Sequence, residues 1–184
     1  MHGTATSGWL LVALCAVTGA YCLVRMRSGA GEERGAAGGE ALMGFGMAAM
    51  AVPAAVFTPP PWAWPAYAVL FGAAAVPALW AARTGAHHLH HLVGAGAMVY
   101  MSVVMAGAPA HGQAGSGVPF LTGALLLYFA GYVLVTGVRL VPVPAMAGGG
   151  AGGGGSAGWG DRPELARACR LSMGIAMVAM LLTL

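Results

Sequence analysis

The chain has 184 residues, 59% of them hydrophobic and only 7% charged, with a mean hydropathy of +0.78. A soluble domain carries about 25% charged residues, so this chain has too little polar surface to stay dissolved, and a membrane is its expected solvent. The net charge of +3 comes from scattered arginines without a single lysine, which excludes a nucleic-acid partner; three cysteines, all inside apolar runs, exclude a disulfide scaffold.

A helix needs roughly 20 apolar residues to cross about 30 Å of hydrocarbon, and the sequence offers six such stretches: 9–26, 41–57, 64–82, 89–108, 118–141 and 165–184. The first has neither the leading positive charge nor the small-residue cleavage site of a signal peptide, so it is expected to stay as a span. Residues 27–39, rich in Gly and Ala with mixed charge, are expected to form a cytoplasmic loop. The second stretch carries Pro53, and Thr58-Pro-Pro-Pro-Trp-Ala-Trp-Pro then makes a rigid turn with tryptophans at the membrane interface. Pro77 predicts a kink inside the third stretch. Residues 148–160, nearly pure glycine, read as a flexible cytoplasmic linker ahead of the last span. The expected fold is all-α: one membrane domain over 1–184, a polytopic bundle of about six transmembrane helices.

Arginine sets the expected orientation. Arg25, Arg27, Arg34, Arg83, Arg139, Arg162, Arg167 and Arg170 all fall at or between spans 1–2, 3–4 and 5–6, while the other loops and both termini have none. The positive-inside rule then puts those three loops in the cytoplasm and both termini outside, in a multi-pass protein of the plasma membrane.

The even-numbered spans carry methionines at helical spacing: Met43, Met47 and Met50; Met98, Met101 and Met105; Met173, Met177 and Met180. Residues three, four and seven apart share a helix face, so each set is a stripe. Met43-Gly-Phe-Gly-Met-Ala-Ala-Met and Met173-Gly-Ile-Ala-Met-Val-Ala-Met agree at five of eight positions. Aligned this way, Met47, Met98 and Met177 correspond and should lie at similar depth, because all three helices enter from the same side. A thioether is a neutral, soft donor that prefers Cu(I) and binds without losing a proton; buried in lipid it costs far less than a carboxylate. Packing of irregular gaps is the plainer use of methionine, and both readings stay open.

His87-His-Leu-His-His91 opens the fourth span. Imidazole is the commonest metal ligand, and His87 and His91 share a face that continues to Met98, while His88 and His90 point to neighbouring directions. Glu40 stands seven residues before Met47 as His91 does before Met98, with Cys22 and Cys169 at the same membrane depth. Sulfur, imidazole and one carboxylate together suit a soft-metal site. On the other side, His2 and His111 are the histidines available for capture.

Other chemistries fit less well. His87-x-x-His90-His91 is a single box of the kind that di-iron desaturases need in several copies. Bis-histidine haem lacks a second histidine at the right depth, and without Cys-x-x-Cys-His there is no covalent haem site; His91 opposite a methionine keeps a b-type haem and electron transfer as the alternative. No Gly-x-Ser-x-Gly elbow is present for hydrolysis. A non-catalytic accessory or assembly subunit, pairing with itself or with a partner membrane subunit, also stays open.

Glu40 followed by Met43-x-x-x-Met47-x-x-Met50, then His87-His-Leu-His-His91 leading into Ala97-Met-Val-Tyr-Met101, resembles an actinobacterial integral membrane family, domain of unknown function 5134. The resemblance covers most of the chain and implies its membrane fold; it carries no activity over. The absence of lysine and asparagine fits a GC-rich source. Met43-x-x-x-Met47, Met101-x-x-x-Met105 and Met173-x-x-x-Met177 also resemble the spacing of Ctr-type copper transporters, a likeness of chemistry only, since that family has three spans per chain. The expected function is non-enzymatic binding and movement of Cu(I), through the methionines with Glu40 and the histidine cluster as inner site.

Overall fold

The computed structural model describes residues 3–81, 86–107, 117–140 and 163–184. These residues form six helices and no strand: α1 (Gly3–Ser28), α2 (Gly31–Met50), α3 (Ala63–Ala81), α4 (Ala86–Gly107), α5 (Pro119–Leu140) and α6 (Pro163–Leu181). The expected linker over 148–160 lies outside the described residues.

Four helices are long and apolar enough to cross a membrane, over Thr6–Ser28, Ala63–Trp80, Leu89–Gly107 and Pro119–Arg139. The other two expected spans are less apolar because their helices carry more charge, Glu33, Arg34 and Glu40 in α2 and Glu164, Arg167 and Arg170 in α6. The bundle shields these two. Successive helices pack in pairs, α1 on α2, α3 on α4 and α5 on α6, and α2 sits at the centre against α1, α4 and α6. Meanwhile α3 and α5 turn Val69, Val76, Trp80, Leu127, Leu134 and Val138 outward. An apolar surface of that extent fits a membrane protein.

The boundaries of α2 differ from expectation at both ends. The loop expected over 27–39 is already helical from Gly31, and the chain turns only at Gly29 and Ala30, where Gly31 takes a φ of +55°. Burial accounts for the longer helix: Ala37 and Glu40 are packed inside the bundle, and tertiary packing outweighs the poor propensity of its glycines. At the other end the helix stops at Met50, short of Phe57. Pro53 has no N–H and its ring obstructs a preceding turn; Ala51 N–H closes the helix on the Met47 carbonyl, and the Pro53 carbonyl accepts from Val56 and Phe57 in a separate turn. Pro77, by contrast, is accommodated within α3.

Glycine sets the tightest approach. A Cβ on Gly44 of α2 would stand 2.9 Å from Gly19 Cα and 3.1 Å from the Cys15 carbonyl oxygen of α1. Two backbones meet there with no side chain between them, the usual way small residues let membrane helices close on one another.

Candidate functional site

Glu40, in the middle of α2, is only 2% exposed. An unpaired carboxylate at such a position is prohibitively costly, and the neighbouring helices supply its partners. Arg170 of α6 donates from Nε to Oε1 at 2.7 Å, and Arg25 of α1 donates from Nη1 to Oε2 at 3.2 Å. The Cys22 thiol points at Oε2 from 3.7 Å, and His91 Nε2 of α4 stands 3.9 Å from Oε1. Cys169 of α6 is partly buried and packs against the same core that holds Cys22. Four helices thus converge on one carboxylate. Two guanidinium groups engage its oxygens, so Glu40 serves as their counter-ion.

Toward the end of the bundle that carries residues 3 and 184, the methionine stripes come together. Met47, Met98 and Met177, from α2, α4 and α6, are each at most 1% exposed. They belong to one contiguous core with Met101 and Met173, against which Met43, Met50 and Met180 pack. Glycines make the room: a Cβ on Gly94 would come within 2.8 Å of Met43 Cε, and one on Gly46 within 3.2 Å of Met98 Cε. Above this layer a cavity of about 850 Å³ is lined by Met50, Met101, Met105 and Met180, with Trp64 and Leu11 among its walls. The two regions form a sulfur-rich column: a cavity with four methionines, a fully buried methionine layer, then the Cys22 thiol beside Glu40.

The histidine run divides. His90 stacks on Tyr132 of α5, ring centroids 3.8 Å apart and 12° from parallel, with Nδ1 3.2 Å from the Tyr128 hydroxyl. His91 turns toward Glu40 and also lines a smaller cavity of about 410 Å³ with Met43, Phe71 and Pro77. The side chains of His87 and His88, and the whole of His2 and His111, lie outside the described residues. Among the described residues no group of three or more His, Cys, Asp and Glu side chains is arranged to hold a metal ion. A metal here would therefore depend on thioethers.

Sequence reasoning used Arg25 and Arg170 only for orientation and missed that both reach Glu40. The available signal was Glu40 itself: an acid at the edge of an apolar stretch needs a cation, and few arginines stand at its depth.

The family described as Domain of unknown function (DUF5134) matches residues 32–184, a region that includes Glu40, His91, all nine methionines of the stripes, Cys169 and Arg170. No curated protein and no solved structure matches the chain.

Proposed function

We propose that this chain, which belongs to the DUF5134 family, is a membrane protein that binds Cu(I) along its methionine column and passes the ion through the bundle. The observation that carries the reading is the fully buried layer of Met47, Met98 and Met177, drawn from three helices and lying beneath a cavity with four more methionines in its walls. Thioethers are soft, uncharged donors suited to a monovalent copper ion. Several of them in sequence let the ion move by exchange between like ligands, without a proton or a buried carboxylate at each step. Orientation follows from the arginines. With Arg25, Arg27, Arg34 and Arg170 on the cytoplasmic side, both termini are outside, the cavity opens outward, and the column leads inward to Glu40, Cys22 and His91. Glu40 fixes the guanidinium groups at the inner end, and His91 is the member of the histidine run that reaches this region.

Elemental mass spectrometry of the detergent-purified, reduced protein, expressed with copper and haem precursor supplied, tests the reading. Near-stoichiometric copper with no visible absorption band is expected. Met47→Leu, Met98→Leu and Met177→Leu together should preserve the fold, since each such swap usually costs less than about 1.5 kcal/mol, yet copper should be lost. A folded triple variant with undiminished copper, or a wild-type protein without any, overturns the proposal. A Soret band would instead make His91 and a facing methionine the ligands of a haem.

A further inference from the structure

The cavity of about 410 Å³ between α2, α3 and α4 shares no lining residue with the outer cavity of the methionine column. Small residues make its room. Gly35 and Gly39 lie one turn apart on α2, and a Cβ on either would meet nothing within 4 Å; Ala74 and Ala78 line the cavity from α3. Phe71 supplies a firm wall, buried and with Tyr67 stacked on it at 6.2 Å and 8° from parallel. Gly35 and Pro77 are exposed, so the cavity opens at the surface of the bundle, beside the outward apolar face of α3 that carries Val76 and Trp80. Among the described lining residues, His91 carries the one polar side chain. Its Nε2 stands 3.9 Å from Glu40 Oε1, an oxygen that Arg170 holds at 2.7 Å, so the ring sits against an anchored carboxylate.

These features define a ligand. No Arg, Asp or Glu is among the described lining residues, so the charged head of a fatty acid or phospholipid would be buried there without a counter-charge. A neutral imidazole offers one donor and one acceptor and selects a ligand with an oxygen at that end. The aromatic wall favours a planar ring, which packs against Phe71 offset or edge-on. The volume falls within the range of small-molecule sites, roughly 300–1,000 Å³, and the opening lets an apolar tail leave into the bilayer. We infer that this cavity binds the head group of an isoprenoid quinone, one ring oxygen hydrogen-bonded to His91, the ring against Phe71 and the tail leaving past Pro77. Binding makes or breaks no covalent bond and moves no electron. The site is independent of the copper reading, since no thioether is needed to form it.

The test is calorimetric titration of the full-length protein in detergent with a decyl-substituted benzoquinone or naphthoquinone, set against dodecanoate and a diacylglycerol. Saturable quinone binding is expected, with no saturable signal from the other two. Gly39→Leu fills the cavity and should abolish binding. Gly123→Leu, on α5 where a Cβ also meets nothing within 4 Å, should not alter it. His91→Leu should weaken binding by about 10-fold, the upper range for one neutral hydrogen bond, and His91→Gln, which keeps a donor and an acceptor, should recover most of the loss. Should Gly39→Leu fail to fold, an azido-quinone photolabel on the wild-type protein answers the same question: its adducts, mapped by mass spectrometry, should fall on α2, α3 and α4. Absence of saturable quinone binding, undiminished binding by Gly39→Leu or His91→Leu, tighter binding of dodecanoate or the diacylglycerol, or adducts on α5 and α6 overturns the site. Copper content of the same preparations reads the methionine column separately: Gly39→Leu should keep it at the wild-type level.

Discussion

One buried carboxylate organises the charged end of this bundle. Glu40 accepts from Arg25 and Arg170, and its replacement would leave two guanidinium groups facing each other without a counter-charge. Glu40→Gln should therefore destabilise the protein by about 3 kcal/mol, the lower end for breaking a buried ion pair, because both arginines keep some contact with water. Replacing all three together, as Arg25→Leu, Glu40→Leu and Arg170→Met, should recover most of that loss, since apolar substitutes of similar volume often match a buried charge network. Thermal unfolding in detergent checks both; a single variant as stable as wild type would deny the network its role. At this scale the sequence was informative where periodicity governs. Met47, Met98 and Met177 could be aligned because helical spacing and a common direction of entry fix their depth. The partners of Glu40 could not, because Arg25 and Arg170 lie 15 and 130 residues away. Likewise the division of His90 from His91 depends on Tyr128 and Tyr132 of a helix that no spacing rule connects to them.

Helix by helix, existence was easier to read than extent. Six apolar stretches gave six helices, since apolar length is what a span requires, but the first half of α2 was hidden in residues that resemble a loop. Glycine and mixed charge mark a solvated turn only when nothing anchors them, and here Ala37 and Glu40 are buried in the bundle while Glu33, Arg34 and Gly35 stay exposed on the same helix. The crossing of α1 and α2 offers a sharp contrast. Gly44→Ala puts a methyl 2.9 Å from the Gly19 backbone, which has no rotamer to change, so the helices must separate at about 1–3 kcal/mol. Gly35→Ala on the same helix meets nothing within 4 Å and should be neutral or stabilising by up to about 1 kcal/mol. Equal unfolding temperatures for the two variants would contradict the close crossing.

For the molecule as a whole, the four apolar helices and the two charged ones divide the work between facing lipid and facing each other. The proposed orientation predicts that epitope tags at either terminus bind antibody on intact cells, while a cysteine introduced near Arg27 labels only after permeabilisation. The reverse pattern would invert the column and turn its cavity toward the cytoplasm. There is also a consequence for biosynthesis in the span of chain between Glu40 and Arg170. When α1 and α2 leave the ribosome, Arg25 is already at hand for one carboxylate oxygen, but the other waits through 130 residues of synthesis for α6. An intermediate that ends after α5 has Arg25 alone on Glu40, its charge balanced but Oε1 still without the Arg170 hydrogen bond. Docking of α6 is then the step that completes the hydrogen bonds of Glu40.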